Sequence, residues 1–209
     1  MVLVDFYRMD MDDLAAFLKK VQAGDDMHKF DAFAFPAEKR VQLDVDVAAW
    51  DESMGQVPLL DAHRDETKQT RDETGKVFRV EVRPAREWAR GEFPGDDERS
   101  REYGLGKMPP RGINAMVSYG RSFIQANTQE PPLEPVLPER LFNQAQAAFN
   151  RLEENIAAYN AAVVRHKGAV AGRRELRKAI EKRVRGLRQY LYTHMDKDDP
   201  ALLDYGFAR

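Results

Sequence analysis

The sequence predicts an all-α protein built by tandem duplication of a helical unit, its long helices packed antiparallel as a four-helix-like bundle or coiled-coil pair. Three observations predict it. Residues 96–105 read DDERSREYGL and residues 198–207 read DDPALLDYGF, the same frame written twice at a separation of 102 positions. Slid by 102, the chain matches itself without a gap from Pro36 on Pro138 to Leu105 on Phe207, with 13 identities in 70 positions. Among them are Glu73 with Glu175, Lys76 with Lys178, Val82 with Val184 and Arg86 with Arg188. The third observation is a heptad period: Phe142, Phe149, Ile156, Val163, Val170, Val184 and Leu191 share one position. Ala145, Leu152, Tyr159, Ile180 and Leu187 lie three residues later, which makes an apolar seam on a helix.

These observations divide the chain into repeat 1, residues 1–107, and repeat 2, residues 108–209. Repeat 1 holds a short helix at about 11–22, a long helical region at about 36–93 and a capped helix at about 98–103. Its short helix, MDDLAAFLKKV, places Leu14, Phe17 and Val21 where INAMVSYGRSF of repeat 2 places Met116, Tyr119 and Phe123. Leu43, Val47, Trp50, Met54 and Val57 keep the seam, although Gly55 and Pro58 interrupt it and Pro84 must kink or restart the helix. KVFRVEVRP at 76–84 alternates as a strand does, yet its counterpart KAIEKRVRG sits within a helical period, and both read as helix.

Repeat 2 has a short helix at about 113–125, a linker at 127–138 with four prolines, a long helical region at about 138–194 and a capped helix at about 200–205. Pro138 suits the first turn of the long helix. The stretches 63–76 and 165–178 are mostly polar, and their glycines fall at different places in the two repeats. A turn that required glycine would need it in both, which favours continuous or kinked helix. Asp199 followed by Pro200 is a helix start, and Gly206 supplies the left-handed residue that ends it, with Phe207 folding back. The aspartates are therefore read as caps. Matching seam positions place Trp50, Met54, Leu152, Ile156 and Tyr159 in one shared core.

Composition bounds the chemistry. The chain has 209 residues, no cysteine and a net charge of −2, so disulfides, thiol nucleophiles and zinc–thiolate sites are ruled out. The start turns acidic too early for a secretory signal, and the expected location is cytoplasmic. His28, His63, His166 and His194 show no metal-ligand spacing, though His63 and His166 fall at nearly equivalent positions. Asp196, Asp198, Asp199 and Asp204 fail as a calcium loop, because Pro200 takes a ligand position and no loop glycine follows. GKMPPRG at 106–112 lacks the ending of a phosphate loop. No catalytic, cofactor-binding or metal site emerges, and the expected function is that of a non-enzymatic structural or interaction protein acting through self-association or a protein partner.

The charge is unevenly shared. Residues 1–107 carry 17 Lys+Arg against 24 Asp+Glu, a net of −7, and residues 108–209 carry 16 against 11, a net of +5. Between Arg165 and Arg188 there are ten basic residues and two acidic ones. The alternative function is polyanion or nucleic-acid binding through this stretch, with Arg173, Arg174, Arg177, Lys178, Lys182, Arg183, Arg185 and Arg188 as candidates. Against it, the basic residues surround Ile180, Val184 and Leu187 on the helical wheel instead of forming one stripe. The expected counterpart is the acidic repeat, with Asp61, Asp65, Glu66, Asp72 and Glu73 covering the basic stretch.

Arg86 to Gly104 and Arg188 to Gly206, with Leu14, Phe17, Met116 and Tyr119 upstream, give a layout that resembles a group of uncharacterised bacterial proteins built from two tandem helical repeats, each ending in a short capped helix with a terminal Gly. The resemblance implies an all-α duplication and no known activity.

Overall fold

The computed structural model describes residues 9–106, 108–196 and 198–207. Among these the chain is all helical, in the order α1 (Met11–Met27), α2 (Ala37–Glu81), α3 (Arg83–Glu92), α4 (Asp97–Glu102), α5 (Ile113–Asn127), α6 (Glu139–His194) and α7 (Ala201–Asp204). None of these helices is long and apolar enough to cross a membrane.

Local chemistry accounts for most of the boundaries. Asp10 caps α1 by accepting from the Asp13 amide at 2.9 Å, and Asp96 caps α4 by accepting from Arg99 at the same distance. Pro84 falls in the first turn of α3, where its missing N–H is harmless, and so separates α3 from α2 at Val82. In repeat 2, Gly186 stands at the matching place and α6 runs on without a break. Pro58, in contrast, lies inside α2, and the helix continues through both it and Gly55.

The polar stretches 63–76 and 165–178 are continuous helix. In the first, Thr67, Thr70 and Thr74 each donate a hydroxyl to the carbonyl four residues back, and Gln69 donates to Glu73 across one turn. The Gln69–Glu73 pair supports the helix across this polar stretch, while the threonine bonds satisfy their hydroxyls locally. At the repeat ends, Gly104 and Gly206 have φ of +73° and +79°. The Leu105 amide donates to the Ser100 carbonyl and the Phe207 amide to the Leu202 carbonyl, both at 3.0 Å, closing the helix ends as expected.

The chain forms two compact units that cut across the sequence halves. The first comprises residues 1–61 and 165–209, the second residues 62–164. In the first, Leu14, Leu18 and Val21 of α1, Leu43 and Trp50 of α2, and Ile180, Val184 and Leu191 of α6 form a core closed by Leu202, Tyr205 and Phe207. Here α7 rests on α1 at Gly24, where a β-carbon would stand 2.9 Å from the Asp204 and Tyr205 backbone. The second unit buries Phe78 of α2, Val82 between α2 and α3, Ala85 and Ala89 of α3, Tyr103, Leu105, Phe123 of α5, and Phe149 and Leu152 of α6. Gly120 lets α5 approach α6, since a β-carbon there would fall 2.2 Å from the Phe149 ring.

This division corrects the expectation of a single core for the equivalent seam residues. Trp50 is buried with Ile180 and Val184, and Met54 packs beside it, whereas Leu152 is buried with Phe78 and Ile156 packs against that second cluster. Each long helix meets a distant segment of the other, so residues 102 positions apart have different neighbours. Tyr159 belongs to the second unit and takes the Arg71 guanidinium over its ring at 4.3 Å.

Candidate functional site

The eight basic candidates all project from the C-terminal half of α6, in the first unit. The helix sorts them by direction. Ile180, Val184, Leu187 and Leu191 face the core, and three cations flanking that face are used structurally. Arg183 donates to both carboxylate oxygens of Asp46, at 2.5 and 2.6 Å, and Asp46 is almost wholly buried. Arg177 donates to Glu181 at 2.9 Å and to the Met9 carbonyl at 2.7 Å. Arg188 donates to the Tyr192 hydroxyl at 3.1 Å and lies over its ring. Arg173 is half-buried.

The remaining four, Arg174, Lys178, Lys182 and Arg185, are exposed, and so is Lys167 one turn-pair earlier. At about 100° per residue these five fall within an arc of roughly 80°, on the side of α6 away from Ile180 and Leu191. At about 1.5 Å per residue they extend along roughly 27 Å of helix. Five of the exposed cations thus share one outward face, while Arg165, Arg173, Arg177, Arg183 and Arg188 lie elsewhere around the helix, so the ten together surround the apolar seam as the wheel predicts. Within the stripe, Lys178 meets Glu175 at 2.8 Å and Arg185 lies 3.8 Å from Glu181. No hydrogen bond or ion pair holds Lys167, Arg174 or Lys182 among the described residues.

Coverage of this segment by acidic residues is narrower than the charges of the two repeats imply. Asp46 takes Arg183, and Asp61 lies 3.3 Å from His166. Asp65 and Asp72 are engaged by their own neighbours Arg64 and Arg71, in the second unit. His63 faces Glu66 at 3.7 Å, so His63 and His166 each have a carboxylate of their own.

Beside the stripe a groove of about 610 Å³ runs between Glu38, Lys39, Gln42 and Asp46 of α2 and Lys182, Arg183 and Gly186 of α6, with Leu43, Val184 and Leu187 as its apolar floor. It contains both signs of charge, with Glu38 and Asp46 against Lys39, Lys182 and Arg183. Among the described residues no group of three or more His, Asp and Glu is placed to hold a metal ion.

A second polar cluster, not visible in the sequence, joins α1 to α7. His28 ends α1; its Nδ1 is 2.8 Å from Asp31 and its Nε2 2.9 Å from Asp204, while the ring stacks on Tyr205 at 5.6 Å. The hydrogen bond to Asp204 pulls the imidazole pKa above its ordinary value, burial opposes it, and Asp31 adds to the rise. Beside it the buried Asp25 accepts from the Phe35 amide at 2.9 Å and from Arg40 Nε at 2.5 Å. The Tyr205 hydroxyl lies buried with no hydrogen-bond partner among the described residues, and desolvation drives its pKa well above the usual phenol value. In the second unit burial likewise pushes Tyr119 up to about 12, against the nearby positive charge of Arg86. A partner 176 residues away leaves no local signal, which is why His28 was indistinguishable from the other histidines.

Comparison with protein-family models, with curated proteins and with solved structures gives no match.

Proposed function

We propose that the chain is a non-enzymatic, cytoplasmic helical interaction protein: two tandem repeats paired antiparallel within one molecule, acting through self-association or a protein partner. The supporting observation is the recurrence of four helix boundaries at a separation of 102 residues. Met11 and Ile113 begin α1 and α5, Ala37 and Glu139 begin α2 and α6, Glu92 and His194 end α3 and α6, and Glu102 and Asp204 end α4 and α7. The left-handed Gly104 and Gly206 keep the same spacing.

Contacts between α2 and α6 run in opposing residue order. In the first unit Asp46 meets Arg183 and Asp61 meets His166; in the second Thr74 meets Asn155 and Glu81 meets Gln144. Each unit combines a short helix from one repeat with the capped helix of the other: α1 with α7, and α5 with α4. This is how two copies of a helical unit pair with each other, and the opposite charges of the repeats favour that pairing over like with like. Further association in the same style is tested by light scattering on the full chain between about 50 and 500 mM salt, where the screening length falls from roughly 14 to 4 Å. A multimer whose mass falls with salt is expected. A monomer at every salt and protein concentration overturns self-association.

A further inference from the structure

We propose that the outward stripe of α6, Lys167, Arg174, Lys178, Lys182 and Arg185, is a docking surface for the phosphate backbone of duplex nucleic acid. The stripe lies on one continuous helix with no proline from Glu139 to His194. Its length of about 27 Å matches roughly eight base pairs at 3.4 Å each. All five side chains are exposed, and three of them have no carboxylate holding their charged ends among the described residues. The segment 165–188 has ten cations and only two acidic residues of its own, Glu175 and Glu181; Asp46 of α2 takes Arg183, and Glu181 is itself buried beneath Arg177 and Arg185. The local field is therefore strongly positive although the chain as a whole is slightly negative.

The same stretch argues against other polyanions. From Lys167 to Arg185 no large apolar side chain is exposed, so nothing is present to enter a bilayer as an amphipathic membrane helix requires. No aromatic residue occurs between these positions either, so unstacked bases find no ring to stack on, as single-strand binders provide. What remains is recognition by charge and spacing alone, and the regular phosphates of a duplex supply both. Binding of this kind is independent of sequence and steeply dependent on salt.

The test uses the full chain and a labelled 20-base-pair duplex of arbitrary sequence, followed by fluorescence anisotropy between about 50 and 200 mM salt. With three to five phosphates neutralised, the slope of log Kobs against log salt is expected near −3 to −4.5. K167Q/R174Q/K182Q replaces three exposed residues that hold no structural contact, so its circular dichroism should equal that of the parent. Its affinity at low salt should drop at least tenfold, and its slope should lose about one unit for each cation removed from a phosphate. K68Q/K76Q, which removes two exposed cations from the second unit, should bind as the parent does. The proposal is overturned by absence of duplex binding at about 50 mM salt, by equal losses in the two variants, or by a parent that prefers polyglutamate, a single strand or anionic vesicles to the duplex.

Discussion

Asp46 is buried on α2, and Arg183 of α6 closes over it with two charge-assisted hydrogen bonds while its own side chain remains about two-fifths exposed. That difference in burial predicts an asymmetry. Arg183→Met strands a buried carboxylate, which retains only Gln42 at 3.1 Å, and should cost about 1–3 kcal/mol. Asp46→Asn leaves Arg183 free to turn to water and should cost less. Urea denaturation of both variants checks the order, and equal costs would show that Asp46 reaches solvent.

The two left-handed glycines should respond unequally to alanine. At Gly206 the new β-carbon meets the flexible end of Lys20 and the Phe17 ring at 3.2 Å, so the loss should be near the ~1 kcal/mol cost of the backbone conformation. At Gly104 it would fall 2.7 Å from the Phe123 Cα, in rigid helix backbone, and the loss should be plainly larger. Thermal melting of Gly104→Ala and Gly206→Ala compares them directly.

Tyr103 and Tyr205 hold the same place in the two closing motifs but have different surroundings. The Tyr103 hydroxyl donates to the Pro135 carbonyl at 2.7 Å, whereas the Tyr205 hydroxyl is buried without a partner. Tyr103→Phe should therefore cost about 1 kcal/mol, and Tyr205→Phe should be neutral or stabilising. Chemical denaturation resolves a difference of that size.

His28 gives stability a pH dependence of known sign. The folded chain holds the imidazole proton more tightly than the unfolded chain, so protonation favours the folded state. The contribution is complete below the unfolded value near 6.5 and disappears as pH rises through the higher folded value. Melting temperature should fall across that interval, and His28→Gln should flatten the fall while lowering stability at the acid end. An unchanged profile in the variant would remove His28 from the explanation.

The sequence made the helices legible because their causes are local. Asp10, Pro84, Gly104 and Gly206 act within a turn of where they stand, and an amphipathic period identifies the buried face of a helix. Such a period does not identify what covers that face. Trp50 and Leu152 have equal standing along the chain, and only folding reveals that one meets Ile180 and the other Phe78. The partner of Arg183 was not legible either, since its carboxylate, Asp46, lies 137 residues away. The cluster around His28 joins the first helix to the last, and no spacing within either could have signalled it.

The first compact unit is discontinuous, and the second, residues 62–164, is inserted within it. During synthesis the inserted unit has all its parts as soon as Val164 clears the ribosome. Residues 11–61 emerge earlier but must wait for Ile180, Val184 and Leu191, with Trp50 and Leu43 meanwhile uncovered. At about 5–20 residues per second, the 103 residues between Asp61 and Arg165 take roughly 5–20 s to make. The order of completion is thus inside first and outside last. The N-terminal helices pass that interval without the C-terminal segment that covers Leu43 and Trp50 in the folded chain.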